Sequence, residues 1–344
     1  MSSSKTLIKD NKKYLQEISS LTKEHYLKCK LYKKFLDNLN YDKEKEYQLF
    51  ELPFVPVRIF KNFDLKSVDE SSIVKTLISS GTSNKGNSRI FLDKENSSKQ
   101  IRVLSEIVSS FIGNKRLPML IFDSESVLKS RKSFSARGAA IMGFSIFGRD
   151  ITYALNDNND INFSNIERFL IKHKDETKIL FGFTSVIWEN FSIIKDLKVK
   201  LDFSNSILLH GGGWKKLIEK KVSDEIFREF LKKEFLIKRV INYYGMVEQT
   251  GSIFLQCEKC HHFLTTKYSD IFIRDNNFNL VQNGKIGIVQ LISSLPSSYP
   301  GHNIISEDIG YITAKNNCSC SKYSKRFKII GRIKDAELRG CSNV

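Results

Sequence analysis

Two short-spaced thiol pairs, Cys257-Glu258-Lys259-Cys260 and Cys318-Ser319-Cys320, are the densest grouping of metal-ligand side chains in the sequence. Folded together they supply four sulfur donors, the set used by a tetrahedral structural zinc site. Such an ion would clamp the segments that flank it and leave the chemistry to other residues. Buried cysteines without a ligand are the competing reading, and His261 and His262 read more simply as surface residues than as donors. A second candidate is Ser79-Ser80-Gly81-Thr82-Ser83-Asn84-Lys85-Gly86, which follows the apolar pair Leu77-Ile78. Glycines let backbone N–H groups approach phosphate oxygens closely, and hydroxyls add donors that reorient as pyrophosphate leaves. Gly81 and Gly86 have the spacing of a P-loop, but Asn87 stands where that loop requires lysine. The segment is therefore either a different phosphate cradle or a plain surface turn.

The elements around these residues alternate between strand and helix. Ile101, Leu104, Ile107, Val108 and Phe111 recur as one helical face, and Leu117-Pro118-Met119-Leu120-Ile121-Phe122 follows as a buried strand. Lys178 to Phe183 is a second strand leading into a helix over 185–191. Ser206 to Leu209 is a third, ending at Gly211-Gly212-Gly213, and Arg239 to Tyr244 is a fourth, ending at Gly245. Strands alternating with helices predict a parallel sheet whose ligand crevice lies at the strand carboxyl ends. Beyond Cys260 the texture changes. Ile271-Phe272-Ile273 and Ile286-Gly287-Ile288-Val289 flank Asn283-Gly284, a tight-hairpin signal, so antiparallel sheet is expected there. Near the N-terminus, Leu27, Leu31, Phe35 and Leu39 recur every four positions and predict an amphipathic helix packed on a core; Val57-Arg58-Ile59-Phe60 reads as extended.

The 344 residues suffice for one large domain or two modest ones, and 41% hydrophobic content suits a packed core. Met1-Ser2-Ser3-Ser4-Lys5 opens on polar residues, and no later run approaches the roughly 18 apolar residues a membrane span needs. A cytoplasmic protein without a span is the expectation. The net charge of +17 comes from 55 basic and 38 acidic residues, but the basic ones are scattered among Asn, Ser and Ile. That distribution reads as a solvated lysine-rich surface, and no nucleic-acid motif accompanies it. Six cysteines are too few for a disulfide scaffold in a chain of this length.

Several of these segments resemble, in order, the signatures of the adenylate-forming ligase superfamily. Ser79-Ser80-Gly81-Thr82 is similar to its phosphate loop. Asn242-Tyr243-Tyr244-Gly245-Met246-Val247-Glu248 is similar to its aromatic-Gly-x-Thr-Glu motif. The resemblance implies that Tyr244 lies against adenine and that Glu248 holds Mg²⁺. It places Gly211-Gly212-Gly213-Trp214 at the adenine and acyl pocket, which His210 and the segment 139–144 would also line. Ser306-Glu307-Asp308-Ile309-Gly310 resembles the motif whose aspartate binds the ribose hydroxyls, and Gly331-Arg332-Ile333-Lys334-Asp335 resembles the hinge, with Arg332 also reaching the ribose.

Within that superfamily, His210-Gly211-Gly212-Gly213-Trp214-Lys215-Lys216, Tyr244-Gly245-Met246-Val247-Glu248-Gln249 and the tail Arg339-Gly340-Cys341-Ser342 resemble the LuxE-type acyl-protein synthetases over nearly the whole chain. That family adenylates a fatty acid with ATP and passes the acyl group to a cysteine near the C-terminus for delivery to a reductase. The resemblance assigns ATP and Mg²⁺ as cofactors and Glu248 and Cys341 as catalytic residues. Ser79, Ser80, Gly81, Thr82, Ser83, Gly211, Gly212, Gly213, Tyr244, Gly245, Asp308 and Arg332 become nucleotide-binding residues. The implied partners are a carboxylic acid and an acyl-CoA reductase or acyl-carrier protein. The implied fold is α/β, with mixed and parallel sheets flanked by helices and a small antiparallel region toward the C-terminus. A helical cover would occupy 1–50, the adenylate-forming domain 51–330, with the zinc-bound β region inside it at 257–320, and a hinge-like stub and tail 331–344.

Three features depart from the pattern. The Pro-Lys that usually ends the phosphate loop is missing, leaving Lys85 or Arg89 as substitutes, and Val247 replaces the usual threonine. Because the sequence ends just after the hinge motif, the mobile C-terminal domain that carries the catalytic lysine in full-length adenylate-forming ligases is expected to be absent. A ligase loading an external thiol such as coenzyme A, and a nonenzymatic basic zinc protein that binds nucleic acid, are the alternative readings.

Overall fold

Asp10 accepts hydrogen bonds from the backbone N–H groups of Lys12 and Lys13 at 3.0 and 3.2 Å, and this cap starts helix α1 (Asn11–Lys28). The computed structural model describes residues 9–79, 87–128, 136–214, 219, 221–313, 318 and 325–333. The chain divides into two units, one built from 1–79, 83–110 and 245–337, the other from 80–82, 111–244 and 338–344. No described helix is long and apolar enough to cross a membrane.

In the first unit, α1 buries Tyr14, Ile18, Leu21 and His25. The backbone is extended at Cys29 (φ −105°, ψ 102°), and a separate helix α2 (Lys30–Asn38) buries Tyr32 and Leu36. The expected stripe is thus the wrong one: Leu27, Leu31 and Leu39 are 68, 40 and 53% exposed. The break resets the helical phase, so a four-residue period drawn across it describes no single face. Tyr14, Ile18 and Leu21 pack with Leu52 and Ile292, and the Tyr14 hydroxyl donates to the Ile292 carbonyl at 3.1 Å. Strand β1 (Val55–Pro56) is followed by a single helical turn, α3 (Ile59–Asn62), where extended chain was expected. The turn buries Phe60 edge-on against Tyr299. Strands β2 (Ile73–Ile78) and β3 (Arg89–Asp93) form an antiparallel pair, and Asp93 caps α4 (Lys94–Ile112) by accepting from Asn96 N at 2.7 Å.

The second unit is the alternating α/β layer. Its elements are β4 (Leu117–Ile121), α5 (Ala136–Ser145), β5 (Gly148–Tyr153), α6 (Phe163–Lys172), β6 (Lys178–Phe183), α7 (Thr184–Asp196), β7 (Ser206–Gly211), α8 (Asp224–Phe235) and β8 (Arg239–Tyr244). The strands pair in parallel in the order β5-β4-β6-β7-β8. Every residue of β6 and β7 is buried, which is why these strands read as continuous apolar runs in the sequence. Leu120, Leu180, Leu208 and Val240 from four strands join Phe191 of α7 and Phe227 and Leu231 of α8 in one core.

The chain then returns to the first unit as β9 (Phe254–Leu255), β10 (Phe263–Leu264), β11 (Ser269–Arg274), β12 (Gly287–Ser293), β13 (Asn303–Ile312) and β14 (Arg326–Arg332). The antiparallel sheet runs β10-β14-β13-β12-β11, with β1 added in parallel to β13. The Asn283-Gly284 turn forms, with Lys285 N donating to Gln282 O at 3.0 Å and Gly284 at φ +91°. It does not close a tight hairpin, because β11 and β12 pair only up to Arg274 and Ile288. An extra turn at Asp275 to Phe278 widens the connection.

Candidate nucleotide site and cysteine cluster

Ser79 closes the neck of the β2–β3 hairpin. Its N–H donates to Ser88 O at 2.9 Å, and its hydroxyl accepts from Ser88 N at 2.8 Å. Its side chain therefore fixes the loop's base. Ser80, Gly81, Thr82 and Ser83 lie outside the described residues, as does Lys85. Arg89, the other substitute for the missing lysine, pairs with Asp64 at 2.8 Å.

In the second unit, the three glycines that end β7 and follow it meet different constraints. A Cβ on Gly211 would sit 2.5 Å from the ring of Tyr243, its register partner on β8. Gly212 has φ +79°, a conformation side chains rarely adopt. A Cβ on Gly213 would meet nothing within 4 Å. Packing thus explains Gly211, backbone geometry explains Gly212, and neither requires Gly213. Tyr243 stacks near Phe144 and Phe181, with ring centroids 4.8 and 6.4 Å away. Tyr244, the next residue, points to the opposite face of the strand and is half-buried.

The base of this glycine loop is held by a side chain the sequence reading missed. Thr184 Oγ1 donates to Gly211 O at 3.1 Å, so it accepts from His210 Nδ1–H at 3.0 Å. Burial, with the nearby Arg228 charge, pushes the His210 imidazole down to about 3, so it is neutral near pH 7. Trp214 packs edge-on against Trp188 at 5.8 Å, while Ile141 and Phe144 of α5 are buried.

The other candidate residues belong to the first unit. Glu248 is buried in a one-turn helix, Val247–Gln249. The turn is pinned on both sides: the Tyr299 hydroxyl donates to Glu248 O at 3.0 Å, and Gln249 Nε2 donates to Gly301 O at 2.9 Å and Leu291 O at 3.1 Å. Burial and then the Glu248 charge push the Tyr299 phenol up, so Tyr299 stays a neutral donor. Gly301 is required here, since a Cβ would lie 2.6 Å from Glu248 O. Gln249 is marked only as the last residue of the segment resembling the LuxE-type synthetases, and Tyr299 carries no sequence signal beyond adjacency to Pro300-Gly301.

Asp308 on β13 and Arg332 on β14 are register partners, and Arg332 Nε donates to Asp308 Oδ1 at 3.0 Å. Arg332 Nη2 lies 3.9 Å from Oε2 of buried Glu307, which also pairs with Arg58. The Asp308 backbone is set by Ser306, whose hydroxyl accepts from Asp308 N at 3.0 Å and donates to Val289 O at 2.8 Å. A carboxylate beside a guanidinium presents both acceptor oxygens and donor N–H groups, the pair that a vicinal diol can engage at once.

The thiols of Cys257, Cys260 and Cys318 converge, with all three sulfurs within 4.8 Å of one another and Cys257 Sγ 4.0 Å from Cys318 Sγ. Cys257 and Cys260 sit in a reverse turn between β9 and β10, where Cys257 N donates to His262 O at 2.8 Å and His261 N to Cys257 O at 2.9 Å. His262 Nδ1–H donates to Cys260 O at 2.7 Å. Burial pushes the Cys260 thiol up. Cys320 and Cys341 lie outside the described residues.

The sequence model for the family described as acyl-protein synthetase, LuxE, matches residues 4–344. No curated protein sequence matches the chain. Among solved structures, it is similar to a 2-hydroxyisobutyryl-CoA ligase in complex with 2-HIB-AMP at TM-score 0.73 and 14% identity, covering 94% of this chain and 68% of that one. It also resembles the amide bond synthetase McbA from Marinactinospora thermotolerans at TM-score 0.53 and 12% identity, covering 79% of this chain and 52% of that one. A luciferase-like enzyme from the nonluminescent mealworm Zophobas morio gives TM-score 0.51 at 16% identity, covering 83% of this chain and 63% of that one. At these identities the likeness establishes the α/β fold shared with adenylate-forming enzymes.

Proposed function

Because the chain belongs to the LuxE family of acyl-protein synthetases, we propose that it is an ATP-dependent acid–thiol ligase that makes an acyl-adenylate and transfers the acyl group to Cys341. The proposed acid is a fatty acid. A carboxylate oxygen attacks the α-phosphorus of ATP, the bond to the β-phosphate oxygen breaks, and pyrophosphate leaves. The Cys341 thiolate then attacks the acyl carbonyl and AMP leaves, giving a thioester. A reductase or acyl-carrier protein is the proposed recipient, in the cytoplasm.

The observation that carries this reading is the Asp308–Arg332 pair, which faces a donor and an acceptor the same way on adjacent strands. In this reading they bind the ribose hydroxyls and Tyr244 lies against adenine. Gly211 to Gly213 admit the adenylate, and Gly245 lets the chain turn from Tyr244 to Glu248. Ser79 to Ser83 hold the leaving phosphates. Glu248 holds Mg²⁺, which would neutralise phosphate charge. Zn²⁺ on the cysteine cluster completes the proposed cofactors as a structural ion.

Mass spectrometry of the intact protein after incubation with Mg-ATP and a fatty acid tests the transfer. Acylation of wild type, lost in Cys341→Ser while pyrophosphate release persists, supports loading of Cys341. Unchanged thioester output to coenzyme A in that variant, with no acylated protein, assigns the acceptor role to a soluble thiol instead.

A further inference from the structure

We propose that Cys257, Cys260 and Cys318 hold one zinc ion that stitches the β9–β10 turn to the β13–β14 connection and thereby fixes the short strand at the end of the antiparallel sheet. The assignment does not depend on the adenylation reading, because it is tested on the unreacted protein.

The sulfur spacing matches zinc. A tetrahedral zinc with bonds of about 2.3 Å to sulfur separates its ligands by about 3.8 Å. Cys257 Sγ and Cys318 Sγ stand 4.0 Å apart, and all three sulfurs fall within 4.8 Å. A disulfide needs sulfurs about 2.05 Å apart, and no disulfide joins Cys257, Cys260 and Cys318.

The turn between β9 and β10 aims its sulfurs together. Lys259 N donates to Cys257 Sγ at 3.4 Å, an N–H directed at a sulfur that gains strength when the sulfur is a thiolate. Cys257 N to His262 O and His261 N to Cys257 O close the loop, and His261 takes φ +54° to complete it. Both cysteines of the pair are thus turned toward one side of a hydrogen-bonded loop and converge on Cys318, which lies 61 positions after Cys257. Three converging thiols of this kind favour a soft or borderline-soft ion over calcium or magnesium, and tetrahedral sulfur donors suit zinc.

An ion here would reinforce a short strand. β10 is a strand of two residues at the end of the sheet, paired to β14 through Phe263 with Phe327 and Leu264 with Arg326, with Thr265 N donating to Lys325 O at 3.1 Å just beyond and a single bridge from Phe263 to Gln256 on its other side. So short a pairing is weak alone. Cys318 lies in the connection whose ends are set by Thr313 N donating to Arg326 O at 2.7 Å and Lys325 N donating to Thr265 Oγ1 at 3.0 Å. An ion shared between turn and connection closes this end of the sheet covalently, beside the Phe254, Phe263 and Phe327 rings.

Purified full-length protein is analysed for metals, then stripped and refilled with cobalt. We expect about one zinc per chain, an intense thiolate-to-cobalt charge-transfer band, and a melting temperature lowered by about 5 °C or more on chelation. Cys257→Ser and Cys318→Ser should each lose the metal; should they fail to fold, zinc release from wild type on thiol modification gives the same answer. Metal-free protein with titratable thiols overturns the proposal. So does stoichiometric iron, a disulfide among these cysteines, or zinc that remains after both substitutions.

Discussion

Asp308 and Arg332 lie directly opposite one another on neighbouring antiparallel strands, their side chains joined at 3.0 Å. Residues 24 positions apart in sequence thus form one polar unit. On the proposed reading this unit grips the ribose, so Asp308→Asn and Arg332→Gln should raise the KM for ATP more than they lower kcat. A hydrogen bond to a charged group contributes roughly 1.5–3 kcal/mol, so the expected rise is about 10-fold to 100-fold. Steady-state kinetics at saturating acid measures it. An unchanged KM in both variants contradicts the assignment.

The glycine loop gives a prediction in which stability and function separate. Gly211→Ala drives a methyl into the Tyr243 ring, so it should cost about 1–3 kcal/mol of stability. Gly213→Ala meets no atom within 4 Å and should melt like the wild type. Any loss of activity in Gly213→Ala then reports on what binds there. Thermal melts of the two variants beside their ligase rates check the contrast, and a stable Gly211→Ala overturns the packing account.

Acid should loosen α1. His25 is buried, with Nε2–H donating to Pro296 O at 3.2 Å and Nδ1 accepting from Ser67 Oγ at 2.7 Å, and burial pushes its imidazole down to about 4. Buried His302, whose ring is centred 4.9 Å away, is lowered for the same reason. A histidine with a folded value below its unfolded one favours the neutral form in the fold. The unfolded chain therefore binds more protons as pH falls through about 6.5. Stability should be full above that pH and decline toward pH 4, by on the order of 3 kcal/mol for His25 alone. Urea unfolding at pH 7.5 and pH 5 tests this, and His25→Gln should flatten the dependence by about one proton. A wild type equally stable at both pH values contradicts it.

The pinned turn at Glu248 predicts a selective defect. Tyr299→Phe removes the donor to Glu248 O and leaves the buried carbonyl without that partner. The cost should be about 1–2 kcal/mol of stability, with a fall in kcat as the carboxylate loses its fixed position. Melting temperature and turnover number together check it; a variant that matches the wild type in both contradicts the positioning role.

Much of this architecture is legible in the residue types. The strands of the parallel sheet announce themselves because burial on both faces demands runs such as Ile179-Leu180-Phe181. The convergence of Cys257 and Cys260 with Cys318 is foreshadowed by spacing, while Cys320 lies outside the described residues. What was not legible is register and phase. Asp308 meets Arg332 only because β13 and β14 pair with a shift between Ile309 and Gly310. The α1 face was misread because the extended residue Cys29 breaks the helix where no proline or glycine warns of it. Thr184 was missed because a threonine opening a helix looks ordinary until His210 and Gly211 O are seen beside it.

The most direct test of the central claim is pyrophosphate release from Mg-ATP across a panel of long-chain, short-chain and aromatic carboxylic acids, with Glu248→Ala alongside. The account predicts release that depends on the acid, is greatest with long-chain fatty acids, and falls at least 100-fold in the variant as the metal's charge stabilisation is lost, a change of about 3 kcal/mol. Acid-independent release, or release undiminished in Glu248→Ala, would contradict it.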